Sequence, residues 1–348
     1  MTRRTICSLL TVGAMDRLLA EDFPWEESTH AGSTALEQGF QRDAEQNFRL
    51  ALNQAKNANA DDLVIASCLD NLARATELVG GAREKLYRES LGIRERRLKP
   101  SDPEIARSLV HVASTAYSPE THKAKDPRET EQMLDRALKI AENEPQSVLM
   151  AEVSEALGLF RHCGFAAENN YTELPGKVEP LYRRALEIRE KNSRSGETDL
   201  ALAQILELNY VLLRETGRAD QAEPLFARAT EVRAKHIQDL SPTEPGGAHR
   251  IGPGIYPPSV VSKQEPEYSD LARLLKWQGT VTLSIVVTEE GAAESIRLIR
   301  GLGLGLDEQA LFAVRNWRFR PGLQVRPPLT NAQPAKVFVT IQVNFQLL

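Results

Sequence analysis

EPLYRRALEIRE, residues 179–190, decides how the first two thirds of this chain is read. Tyr182 and Ala185 stand three residues apart, which puts them on one helical face, the small residue letting a neighbouring helix approach closely. The same pairing recurs as Phe48/Ala51 in AEQNFRLAL (44–52), Tyr87/Ser90 in EKLYRESLGIRE (84–95), Leu134/Ala137 in EQMLDRALKIAE (131–142) and Phe226/Ala229 in AEPLFARATEVR (222–233). Successive copies are 39, 47, 48 and 44 residues apart. Between them lie LVIASCLDNLARATELV, EIARSLVHVASTAY, SVLMAEVSEALGLF and LALAQILELNYVLLRETG, whose apolar residues return every three or four positions as one buried stripe. The pattern is helix, turn, helix, about five times over residues 31–238. One such hairpin leaves its apolar face bare, so the expected architecture is an all-α superhelix of helix hairpins with a concave surface.

The repeat resembles the tetratricopeptide repeat in the longer-period form of kinesin light chains, whose signature is similar to AExLYxRALEIRE. That resemblance implies a groove lined by the first helix of each unit. It places Asn71, His111, Glu155 and Asn209 along the groove, where an amide can grip the backbone of an extended peptide. The competing reading of these four is ordinary solvation or local hydrogen bonding on a helix. Seven residues before the small position the pattern holds at Ala44 and Ala222 but is replaced by Arg83, Thr130 and Val178. SPETHKAKDPRE (118–129) and AAENNYTELPGK (166–177) read as insertions in inter-helix loops.

Composition removes several function classes. At 348 residues the chain has room for two domains. Its formal net charge is -5, and residues 257–348 carry ten Lys and Arg against eight Asp and Glu, so neither part is a phosphate-coating surface and no nucleic-acid partner is expected. Cys7, Cys68 and Cys163 are odd in number and far apart, which implies no disulfide framework. No window approaches the ~18 uninterrupted apolar residues that span a bilayer. MTRRTICSLLTVGAM (1–15) starts basic and runs semi-apolar until Asp16 and Arg17 interrupt it. Residues 1–30 are therefore set apart as a weak signal-like segment, which makes the periplasm the expected compartment and the cytoplasm the alternative. GLGLG (301–305) invites a dinucleotide-loop reading but fails its spacing, because the third glycine would fall at Leu306 or Glu308. With no G-x-S-x-G, no phosphate-loop lysine and no H-E-x-x-H, the expectation is a protein that is not an enzyme and uses no cofactor or metal.

From Ser241 to Pro258 the chain is dense in Pro and Gly, and residues 239–257 read as a stiff linker. YSDLARLLK (268–276) reads as a short helix, and GTVTLSIVVTEEG (279–291) with AESIRLIRG (293–301) as a hairpin of strands. LDEQALFAVRNW (306–317) reads as a helix with Asp307 capping its N-terminus, and AKVFVTIQVNFQLL (335–348) as a half-buried antiparallel strand. In LFAVRNWRFRPG (311–322) Trp317 completes the helix's apolar stripe and Phe319 follows it into the core, while the arginines lie outward along their stems. The expected domain, 258–348, is a small α+β fold: a three-stranded antiparallel sheet and two helices.

Pro266-Glu267-Tyr268, Ala272-Arg273, Gly279, Gly291, GLDEQALFAVRNWRFRPG (305–322) and VNFQL (343–347) together resemble the C-terminal domain of TonB-family proteins, over about Pro258 to Leu347. That resemblance implies capture of a segment of an outer-membrane transporter by β-strand addition. It places Phe338, Thr340, Gln342 and Asn344 near the guest peptide, with Tyr268 beside them. The expected function is a peptide- and protein-binding envelope protein in which the repeat groove holds one partner and the C-terminal domain captures another. The alternative is a scaffold acting through the repeats, its C-terminal domain structural or dimerising through an edge strand; a third reading is a transport energiser working with a separate anchored subunit.

Overall fold

The computed structural model describes residues 23–76, 81–117, 124–193, 199–242, 246–325 and 332–347. The segment 1–15 with Cys7 lies outside them. Among the described residues no helix is long and apolar enough to cross a membrane. The chain divides into two compact units, 1–115 and 116–348.

The first unit holds α1 (Pro24–Glu37), α2 (Gln41–Asn57), α3 (Asp62–Ala75), α4 (Ala82–Arg97) and α5 (Pro103–Ser114). Asp61 and Asp102 accept from the amides of Leu63 and Glu104 and so cap α3 and α5, and Pro103 occupies a first-turn position that needs no amide hydrogen. Phe48 is fully buried against Gly32, where an added Cβ would stand 2.7 Å from the ring. Arg94, also buried, pairs with Asp70 at 2.7 Å and donates to Ser108 Oγ at 3.0 Å, joining α3, α4 and α5.

The second unit continues with α6 (Pro127–Ala141), α7 (Val148–Ala167), α8 (Glu179–Asn192), α9 (Leu200–Glu215) and α10 (Ala219–Leu240). Asp126, Ser147 and Asp199 cap α6, α7 and α9. The 166–177 insertion folds as two helical turns, Tyr171–Glu173 and Leu174–Lys177, with Leu174 fully buried. Thr130 and Val178, which replace the usual small residue, are buried as the small residues Ala44 and Ala222 are.

In α7, Gly158 meets the ring of Tyr182: an added Cβ would lie 2.6 Å from its Cε1. The ring is held at its far end by His162, whose Nδ1 is 3.2 Å from the hydroxyl. Gly158→Ala gains up to about 1 kcal/mol of helix propensity, but overpacking a fixed aromatic costs about 1–3 kcal/mol. A net loss of stability is therefore expected, read as a lowered melting temperature.

The C-terminal domain contains β1 (His249–Arg250), β2 (Ile255–Tyr256), β3 (Ser259–Ser262), α11 (Asp270–Leu274), β4 (Gly279–Val287), β5 (Ala293–Arg300), α12 (Leu306–Arg315), β6 (Arg318–Arg320), β7 (Gly322–Val325), β8 (Ala332–Ala335) and β9 (Val337–Phe345). The hairpin β4–β5 and the long antiparallel pair β4–β9 are as the alternation predicts. Among the described residues, however, the main sheet has four strands in the order β1-β9-β4-β5, with small sheets β2-β7-β8 and β3-β6 beside it. The expected linker is therefore partly structured. Helix α10 runs to Leu240, and the His249 amide finds the Lys336 carbonyl at 2.8 Å, so two linker residues join the sheet in parallel. Trp317 and Phe319 are buried and Arg318 and Arg320 exposed, as the core reading requires, although Phe319 sits on β6. Gly291 is fixed by its neighbour: at φ +82° an added Cβ would lie 1.9 Å from the Phe319 carbonyl oxygen.

Asp307 does not cap α12. Gly305, at φ 83°, takes the cap position, and Asp307 lies buried as the second residue of the helix. Its carboxylate accepts from the amides of Leu302 at 2.7 Å and Gly303 at 3.2 Å, because the GLGLG turn directs its N–H groups inward. Burial, with the neighbouring Glu308 carboxylate, pushes Asp307 up from 3.8 to about 7, against the Leu302 amide and Arg233, which pull it down. The folded chain thus keeps a proton that the unfolded chain has released. Stability from this group is intact below about pH 4 and falls as pH rises through 7, by at most about 1.4 kcal/mol per unit. Asp307→Asn, which keeps an acceptor and cannot ionise, is expected to flatten the dependence of melting temperature on pH between 5 and 8.

Candidate functional site

Strand β9 builds the site. On one side it pairs with β4 along its whole length, Val337↔Val287 through Phe345↔Gly279, without a break in register. On the other, among the described residues, it meets only β1, at Val337 and Phe338. Backbone groups alternate sides along a strand, and the Lys336 carbonyl points at β1, so the N–H and C=O groups of Phe338, Thr340, Gln342 and Asn344 face away from β4. Beyond β1 the last three of these present an unpaired edge among the described residues. Their side chains are exposed, while Val337, Val343 and Phe345 are buried on the opposite face.

Where β1 ends, a cavity of about 450 Å³ opens between Arg250, Ile251, Ser284, Phe338, Val339 and Thr340. Phe338 is 41% and Ile251 53% exposed, so this end of the edge is apolar with one guanidinium at its rim. At the far end the Thr280 hydroxyl donates to Asn344 Oδ1 at 2.8 Å. Four of the five expected strand residues are thus brought together. Tyr268 is not beside them: its ring meets Phe345 edge-on at 5.5 Å, on the buried face, and its hydroxyl donates to the Trp277 carbonyl at 3.2 Å. Burial raises the Tyr268 pKa, opposed by the Arg273 guanidinium over its ring.

Residues 264–347 match the family model of the Gram-negative bacterial TonB protein C-terminal. Within this TonB-like domain, β9 supplies the end of the matched segment, and β1 lies before its start. The chain is also similar to BtubC (BKLC) from P. vanneervenii, at 20% identity over 68% of this chain and 91% of that one, with a TM-score of 0.46. Two structures of nearly identical TPR-like repeats assigned to a kinesin light chain of Podosopora anserina are similar at 14% identity, covering 61% of this chain and 95% and 96% of theirs, with TM-scores of 0.40 and 0.39. No curated protein matches the chain.

The four groove residues stand in different surroundings. In the first unit Asn71 lines a cavity of about 570 Å³ with Trp25, His30, Leu63, Ser67 and Cys68, and the His111 ring lies 5.0 Å from that of Tyr87. In the second unit Glu155 accepts a hydrogen bond from the Gln204 amide. Burial lifts the Glu155 carboxyl to about 7 even though Gln204 and Arg189 pull it down. Asn209 is buried and donates to the carbonyls of Ile205 at 2.8 Å and Tyr182 at 3.4 Å, so its amide is engaged within the protein.

Two features escape a reading of the sequence. The pairing of His249–Arg250 has no periodic signal, being two residues within a four-residue stretch between Gly247 and Gly252. The buried carboxylate Glu207 stands out as a lone charge inside the apolar run LALAQILELNYVLL, but nothing in that run names its partner Arg233.

Proposed function

We propose that this protein is a non-enzymatic binding protein of the bacterial envelope that captures an extended peptide segment, of the kind an outer-membrane transporter presents, by strand addition to β9. The open edge from Thr340 to Asn344 is the observation that carries this reading, since unpaired N–H and C=O groups in register are what an added strand satisfies. The match of the domain to the TonB C-terminal family supports the choice of guest. The repeats bind a second protein, and the periplasm is where both would meet.

The test is amide hydrogen exchange on the full chain with a transporter-derived peptide at up to millimolar concentration. Slowed exchange at Thr340, Gln342 and Asn344, with Ile341 and Val343 unchanged, is the expected result; no binding in that range removes the reading. Protease digestion of a C-terminal tag in spheroplasts, but not in intact cells, is the expected outcome for compartment. Protection until lysis would place the domain in the cytoplasm and leave the scaffold reading, which the packing of β5 and α12 on α10 also favours. Under that second reading Gln342→Pro leaves partner binding unchanged.

A further inference from the structure

The main sheet has two edges, and the protein treats them oppositely. Next to β5 lies α10. A bulge at Ser295 and Ile296 interrupts the β4–β5 register, and the freed Ile296 amide donates to Ser241 Oγ at 2.9 Å. Arg297 donates to the Ser241 carbonyl at 2.7 Å and Arg315 to the Leu240 carbonyl. Two arginines of the TonB-like domain thus satisfy the last carbonyls of α10, at the helix end that favours cations. At the other end of β5, an added Cβ on Gly301 would stand 3.4 Å from Thr230 Cγ2. Thr230 to Ser241 spans about 16 Å as helix, and Ile296 to Gly301 about 16 Å as strand, so α10 lies alongside β5 over that length.

A buried charge cluster fastens the two. Arg233 of α10 donates to Glu207 Oε2 at 2.7 Å through one nitrogen and to both Glu308 oxygens at 2.9 Å through another, and a third nitrogen also reaches Glu207. All three residues are less than a tenth exposed. Glu207 Oε2 also accepts the Leu304 amide of the GLGLG turn at 2.8 Å. Gly303 sits beside it at φ +78°, and an added Cβ there would come within 3.0 Å of the Glu207 carboxyl. The turn that fails as a dinucleotide loop is instead a nest of amides for two carboxylates of the same chain, Asp307 and Glu207. Tyr210 of α9 and Trp277 complete the contact edge-to-face at 5.7 Å.

We propose that the hairpin α9–α10 is an edge guard: by clamping the TonB-like domain through Glu207 and Arg233 it closes the β5 edge and leaves β9 as the edge that receives a strand. The selection of β9 rests on the capture reading above; the guarding of β5 does not. An unguarded β5, whose own Ile299 is 61% exposed, would template pairing with a second copy.

The test needs no guest peptide. Amide exchange and sedimentation are compared for the full chain and its Glu207→Ala and Ser241→Ala variants. Glu207→Ala is expected to speed exchange at Leu304 and Ile296 at least tenfold, with α7 and α8 unchanged, and to give a mass that rises with concentration where the wild type's does not. Ile296 staying protected after Leu304 has opened overturns the proposal, as does an opened β5 that never self-associates. If Glu207→Ala unfolds the chain, Ser241→Ala decides: it removes the Ile296 acceptor without touching the clamp, and faster exchange at Ile296 alone is expected. Unchanged exchange there overturns the guard. Failure of peptide capture with these results intact would remove only the capture reading.

Discussion

Replacing Arg233 by Met is expected to lower the unfolding free energy of the full chain by about 3–5 kcal/mol, the cost of stranding buried carboxylates without their cation. The geometry argues for the upper part of that range. Glu207 is 1% and Glu308 8% exposed, so neither reaches water when the guanidinium is gone. Asp307, buried beside them, is a third acidic group in the same pocket, one that burial already pushes toward its protonated form. Burial disfavours the charged Arg233 guanidinium, but the carboxylates of Glu207 and Glu308 outweigh it and raise its pKa. Arg233→Lys is expected to recover little, because one ammonium cannot present separate forks to Glu207 and Glu308 as the guanidinium does. Urea unfolding followed by tryptophan fluorescence measures it, since the Trp277 indole donates to the Leu302 carbonyl beside the cluster. A loss below about 1 kcal/mol, the value of an exposed ion pair, would show that water reaches the pocket and the clamp does not hold the domain.

That cluster also shows what the sequence could say and what it could not. The repeats were legible because each hairpin advertises its contact locally: Tyr182 and Ala185 lie three apart, and the ring lands on Gly158 in the preceding helix. The strands of the C-terminal domain were legible for the same reason, as alternation in β4 and β9 follows from burial of one face. Helix α9 gave a partial signal. From Ile205 to Leu213 every residue is buried, because α8 and α10 cover part of its surface and the Tyr210–Trp277 contact brings the C-terminal domain onto another part. An all-round apolar run announces two-sided burial without naming the second partner. The Pro- and Gly-rich composition of 241–258 predicted a spacer, yet one serine hydroxyl and two carbonyls at its start dock the domain, through contacts that depend on residues more than fifty positions away. Tyr268, expected beside Phe338, Thr340, Gln342 and Asn344, lies elsewhere for a similar reason. Which face of a sheet a preceding loop covers depends on the path of the chain, and the ring goes to Phe345 on the buried face.

Proline placed along β9 should then reveal the parity of the receiving edge. At Thr340 or Gln342 proline deletes an amide that faces away from β4, so the β4–β9 ladder keeps its hydrogen bonds and the fold survives, as edge positions tolerate proline. Capture should weaken at least tenfold at either site, since a guest loses one backbone partner, about 1 kcal/mol net, and also meets the ring in its path. Ile341→Pro, one residue away, deletes an amide on the β4 side opposite Leu283, in the middle of the sheet's longest pairing, and is expected to cost several kcal/mol of stability before any guest is added. Thr340→Ala, which keeps the N–H and loses only an exposed hydroxyl, should bind as the wild type does. The alternation is the diagnostic: a groove reading side chains would feel Thr340→Ala and ignore backbone parity, whereas strand addition makes loss at 340 and 342, retention on Ala substitution and collapse at 341 consequences of one hydrogen-bond pattern. Undiminished capture by Gln342→Pro, with the peptide still protecting Thr340, would mean that the guest's hydrogen bonds do not run along this edge.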